Sequence, residues 1–183
     1  NLEQVTIQSQ FWQFYQQLVT NETIPYQLQV MSDEIEVNVE AERKDDSLPT
    51  GKSHAIKNFE IAAGKFEGDH FGWVFQDSDV YKWLESVAYS LIYKKDQELE
   101  KSADDIISLI EMAQQEDGYL STFFQIKHPE LMYRQLYFSH ELYCAGHLIE
   151  AGIAYDQATG KDKLLQIAIK FINHIKQHFG NEA

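Results

Sequence analysis

FSHELYCAGHLIEAG, residues 138–152, sets two histidines and the chain's one cysteine within eight positions. At about 100° per residue, helical winding puts His140, Cys144, His147, Ala151 and Ala154 on one side. Leu142, Ala145, Ile149, Gly152 and Ile153 fall on the other. The second set reads as an ordinary packing stripe. The first is small and semi-polar, unlike either open solvent or an aliphatic core. A helix without a fully solvated face is surrounded by other elements, so the stretch predicts an inner helix. Its small residues leave room for a hollow, with His140 nearest the mouth. His147 is expected to be hydrogen-bonded inside the core, and Cys144 to be a small buried hydrophobe. The His-Glu pair resembles the start of a zincin motif, but that motif needs its second histidine four residues after the first. Here it comes seven later, so the motif fails and no metal site is expected.

The neighbouring segments carry the same period. Residues Asp162 to Phe179 place Leu164, Leu165, Ala168, Phe171, Ile172, Ile175 and Phe179 on one face. Gly160 breaks the preceding helix and Gly180 closes this one. Ala103 to Gln114 forms another stripe, with Ser102 as its N-cap. A third runs from Asp79 to Tyr93, capped by Ser78 or Asp77. A fourth runs from about Ser9 through Gln17. Between Met31 and Gln76 the period breaks: SDEIEVNVEAERKDD (32–46) alternates weakly, as a loop or a short strand, and GKFEGDHFGWVFQDSD (64–79) reads as a long irregular loop. Loops of that length in a compact domain are usually functional or disordered, and the aromatics here favour function. The fold class is all-α.

With 183 residues, a formal charge of −14 and 44% hydrophobic residues, the chain suits one acidic domain with a real core. The charge argues against nucleic acid and anionic membrane surfaces. One cysteine excludes an internal disulfide framework. No apolar run nears the roughly 20 residues of a membrane span, and no leader pattern opens the chain. A cytoplasmic location is the default expectation.

Four stretches together resemble a known family: FWQFYQQLVTNETIPYQ (11–27), NFEIAAGKFEGDHFGWVFQDSDVYKWLESVAYSL (58–91), DGYLSTFFQI (117–126) and HELYCAGHLIEAGIAYDQATGKDKLL (140–165). They are similar, in order, to the β-L-arabinofuranosidases of glycoside hydrolase family 127. The resemblance implies the first half of an (α/α)6 toroid of paired inner and outer helices. Residues 1–183 would then be the N-terminal portion of a truncated catalytic barrel. Asp79–Tyr93 and His140–Gln157 would be inner helices, Ala103–Gln114 and Asp162–Phe179 outer ones. It also implies retaining hydrolysis of β-L-arabinofuranosides by a zinc-held cysteine with a separate glutamate. Those groups belong to a later part of the family's barrel, and Cys144 does not match the catalytic cysteine. Zinc is therefore expected in the intact enzyme and not in this chain, which alone should be inactive and self-associate through exposed half-barrel faces.

By the same resemblance His140 and Gln27 are carried over as hydrogen-bonding groups for a carbohydrate substrate, specifically a furanose ring. Asp79 and Asp77 either cap their helix or face the cavity. Trp73 and Phe75 stack on a sugar or fill the core, and Tyr119 reaches from the DGYL turn toward the cleft. Glu141 and Glu67 are tempting carboxylates without a role that spacing alone assigns. Two other readings stay open: another (α/α)6 enzyme, such as an unsaturated-uronide hydrolase or an epimerase, and a non-catalytic helical interaction module.

Overall fold

The computed structural model describes residues 4–37 and 51–180. The chain forms α1 (Gln10–Leu18), α2 (Ile24–Met31), α3 (Ala55–Ala62), α4 (Asp77–Tyr93), α5 (Gln97–Ala113), α6 (Thr122–Lys127), α7 (Leu136–Ser139), α8 (Glu141–Thr159) and α9 (Lys163–Phe179). Among the described residues the extended structure is one isolated antiparallel bridge between Val37 and Gly51. Most of the 32–46 segment, read as a loop or short strand, lies outside the described residues. No described helix is long and apolar enough to cross a membrane.

Two hairpins build the body. α4 turns into α5, α8 turns into α9, and α4 packs along α8 over the most extensive helix interface among the described residues. Inner helices thus touch each other and carry their outer partners behind them, which is half of a toroid. Val80, Leu84, Val87 and Leu91 of α4 are fully buried, as are Leu148 and Ala151 of α8 and Leu164 and Ala168 of α9. At about 25 cal/mol per Å² of apolar surface removed from water, such seams dominate stability. The α8–α9 seam is close because Gly152 has no side chain. A Cβ there would stand 3.1 Å from Leu165 Cα and 3.3 Å from the Leu164 carbonyl oxygen. Gly160 ends α8 at φ 73°, a conformation that costs glycine little.

Polar side chains lock the layers together. Tyr155 Oη donates to Asp104 at 2.8 Å, and Lys161 Nζ reaches both Asp104 and Glu100 at 2.6 Å. Trp83 Nε1 donates to the Ile24 carbonyl at 3.0 Å, fixing α2 against α4. α1 and α2 form one run joined by a π-helical turn over Val19–Thr23. Pro25 lies in the first turn of α2, and it lacks the N–H that would continue a regular ladder, so the wider turn absorbs the break.

Two expectations are corrected. α5 starts at Gln97, six residues before Ala103, and its cap is Asp96, whose side chain accepts from the N–H groups of Glu98 and Leu99. Ser102 instead returns a hydrogen bond to the Glu98 carbonyl. Neither Ser78 nor Asp77 caps α4, which follows Gln76 without a side-chain cap. Gly180 follows Phe179 and closes α9 as expected, with an extended backbone at φ −76°.

Candidate functional site

Along α4, Asp79, Lys82, Trp83 and Ser86 follow the i, i+3, i+4, i+7 spacing of one face. That face meets Tyr26, Gln27, Val30 and Met31 of α2 across a half-open cavity of about 320 Å³, which Val37 and Ser53 also line. Gln27 and Asp79 therefore share one opening. Gln27 is exposed on α2 with its amide free to donate and accept. Asp79 is open at the mouth, yet the walls around its carboxyl group raise its pKa, against the opposing pull of Lys82 and His147.

Beside the cavity runs a row of rings. Trp73 stacks on Phe75 at 5.5 Å, Phe75 lies 5.0 Å from the His140 ring, and His140 lies 5.8 Å from Tyr143. Lys82 joins row to cavity: its Nζ donates to Tyr143 Oη at 2.8 Å and to Ser78 Oγ at 3.2 Å. His140 is half-buried among rings, not sealed among aliphatic side chains. Its Nδ1 faces the Phe138 carbonyl at 2.7 Å. In the neutral ring that carbonyl takes the Nδ1 proton, which leaves Nε2 as an acceptor. His140 is not in the wall of the cavity itself; Tyr143 and Lys82 stand between.

The other candidates sit elsewhere. Tyr119 does not reach an opening: it is 2% exposed, and its hydroxyl donates to Glu141 Oε1 at 2.5 Å. The DGYL turn points it inward, onto Phe171 and His174. Glu141 is buried and Glu67 exposed. Asp77 neither caps its own helix nor faces the cavity. It accepts from the backbone N–H of Thr122 at 2.8 Å and from the Thr122 hydroxyl, so it caps α6 from a distance.

The split expected of α8 holds only in part: Ala145 and Gly152 of the packing set are buried as expected. Cys144, Ala151 and Ala154 are buried, and Cys144 Sγ lies 3.7 Å from the Phe75 carbonyl, at the α4 end. Leu142 and Ile153, read as packing residues, are exposed. His147 is half-buried rather than enclosed, and its Nδ1 is 3.2 Å from Glu150.

Sequence reasoning missed Lys82 and Tyr26. The signal for Lys82 was present, since it falls one helical turn from Asp79 on the same face. Tyr26 had none, because its neighbours come from distant segments.

The family's zinc-held thiolate does not fit the residues of this chain. Cys144 is the chain's one cysteine, it is buried with its Sγ 3.7 Å from the Phe75 carbonyl, and no second thiol stands beside it to share an ion. Glu85, His147 and Glu150 do each bring a ligand atom within 4.8 Å of one another. They lie along the solvent side, where acidic groups commonly gather without an ion.

A helical half-toroid with a sugar-sized, mostly apolar cavity edged by a few polar side chains, beside stacked rings, defines the class: a portion of an (α/α)6 carbohydrate-active enzyme. The family described as "Beta-L-arabinofuranosidase, GH127 catalytic domain" matches residues 4–183, so the chain belongs to glycoside hydrolase family 127, in the N-terminal part of its catalytic domain. It is 44% identical over 184 residues to the non-reducing end β-L-arabinofuranosidase of Bifidobacterium longum subsp. longum, covering 97% of this chain and 28% of that protein. It is similar to the crystal structure of a family 127 β-L-arabinofuranosidase from Geobacillus stearothermophilus T6, with a TM-score of 0.85 and 50% identity over 97% of this chain and 26% of the other. A second solved family 127 β-arabinofuranosidase matches with a TM-score of 0.80 and 30% identity, over 98% of this chain and 27% of that one. The chain thus spans about a quarter of the length of the relatives it matches.

Proposed function

We propose that this chain forms one wall of the substrate site of a retaining glycoside hydrolase acting on β-L-arabinofuranosides. The reading rests above all on the convergence of Gln27, Asp79 and Lys82 around a cavity of about 320 Å³, within the size range of small-ligand pockets. A furanose presents several hydroxyls on a small ring. An amide, a carboxyl group and an ammonium can share donation and acceptance among them, and the Tyr26 ring in the cavity wall offers an apolar face for its C–H edges. The names of the relatives point to the same sugar.

His140, between Phe75 and Tyr143 in the aromatic row, presents Nε2 as an acceptor for a hydroxyl of a longer substrate or of the sugar's far edge. The nucleophile and the acid/base group come from residues beyond these 183, and the chain by itself is inactive. Cys144, a buried thiol, has no part in the chemistry.

The test is kinetic, on the intact enzyme with p-nitrophenyl β-L-arabinofuranoside. Gln27→Ala and His140→Ala are each expected to lower kcat/KM by at least about ten-fold, the loss of one good hydrogen bond to substrate. Parent-like kinetics in both would remove this wall from the substrate site. Turnover by residues 1–183 alone would disprove the assignment of the catalytic groups to other residues.

A further inference from the structure

Glu141 follows His140 directly and opens α8, yet it is 1% exposed. A carboxyl group removed from water must be met by donors, and three contacts meet it. Tyr119 Oη donates to Oε1 at 2.5 Å, and the backbone N–H of Tyr133 is shared between Oε1 and Oε2 at 3.1 Å each. None of these partners is a cation.

The backbone that Glu141 holds is strained. Tyr133 sits at φ 56° and His140 at φ 54°, both left-handed without being glycine. Such residues persist where their surroundings over-determine them. Apolar burial does not hold the stretch between them, because Tyr137 and Phe138 are 87% and 68% exposed. One strained end is fixed by the carboxyl group of Glu141 through Tyr133 N–H, and the other is the residue bonded to Glu141. The Tyr133 side chain is fixed in turn, its hydroxyl 3.1 Å from His174 Nδ1.

We propose that Glu141 is a positioning residue: its buried carboxyl group holds the turn at Tyr133 and, through the chain, sets the His140 imidazole against Phe75 and Tyr143. Tyr119, the donor to Oε1, acts through Glu141 and not on the ligand. The value of this arrangement to binding rests on the sugar-site reading above; the arrangement itself does not.

The test compares Glu141→Ala with Glu141→Gln, which keeps the shape and one acceptor oxygen. Three readouts are taken on the chain: the rate of chymotryptic cleavage after Tyr137 and Phe138, the nuclear Overhauser contact between the His140 and Phe75 rings, and the affinity for methyl β-L-arabinofuranoside by NMR titration. Glu141→Ala is expected to speed cleavage by about ten-fold or more, as loss of a buried hydrogen-bonded anchor lowers the cost of local opening. It also abolishes the ring contact, and Glu141→Gln restores most of both. A cleavage rate and ring contact unchanged in Glu141→Ala would overturn the proposal. Should that variant not fold, Tyr119→Phe removes one donor without changing the core volume, and an unaltered cleavage rate there overturns it equally. A lost ring contact with sugar affinity intact upholds Glu141 as the anchor and instead removes His140 from the sugar site.

Discussion

Asp77 and His70 are both buried, and burial acts on them in opposite senses. Burial raises Asp77 from 3.8 to about 6, against the pull of its Thr122 hydrogen bonds. Between those values the folded chain keeps a proton that the unfolded chain has lost, so stability falls as pH rises through this window. Burial lowers His70 from 6.5 to about 4, with Lys127 adding to the shift. There the unfolded chain holds the extra proton, so stability rises with pH. Each shift is worth roughly 3 kcal/mol, and the two nearly cancel between pH 4 and 6. Thermal melts across that range should therefore separate under mutation. Asp77→Asn is expected to unmask a stability that climbs with pH, and His70→Gln one that declines. A flat difference between either variant and the parent would contradict the assigned burial. The residue types in QDSD pointed to a cap or a cavity wall for Asp77; its actual partner, Thr122, lies 45 residues onward. Local spacing carries no information about such a partner. Gln27 is reached through the family resemblance alone and Asp79 is left between a cap and a cavity wall; that both line one cavity follows from how α2 meets α4. Tyr119 was not, because a turn motif reveals its bend and not the side toward which its tyrosine points.

At the scale of elements, amphipathic period located the long helices but misjudged where they begin. α5 was read from its first apolar residue, whereas Asp96 starts it over a polar turn that periodicity does not register. Asp96→Ala is expected to cost about 1 kcal/mol, the usual loss for a cap with satisfied N–H partners. Ser102→Ala should change little, since its hydroxyl bonds back within the helix. Urea titration of both variants distinguishes the two caps, and equal losses would refute the assignment. In α8 the period put Ala145 and Gly152 on one face with Leu142 and Ile153, yet the first two are buried and the last two exposed. It could not say which neighbour each residue meets, and the small residues of both faces proved to be the buried ones. Small side chains bring backbones close, and closeness serves a helix interface as readily as a hollow.

For the whole molecule the open edge of the half-toroid matters most. Leu142 and Ile153 of α8 and Ile169 and Ile172 of α9 are exposed, as are Phe11, Trp12 and Phe14 of α1. Apolar area of this extent left in water favours association. Sedimentation velocity on the chain is expected to show concentration-dependent self-association, weakened by Leu142→Lys with Ile153→Lys. A monomer at all concentrations would show that these faces are tolerated in water.

From the sequence alone came the all-α class, the inner and outer helix pairs, and the family, because helical period and motif order are properties of the chain itself. Tertiary structure decided that Gln27, Asp79 and Lys82 share a cavity, that Tyr119 and Glu141 close on each other inside, and that α8 buries small residues of both its faces. Those outcomes depend on which distant surfaces meet, and side-chain spacing along one strand of sequence does not encode that meeting.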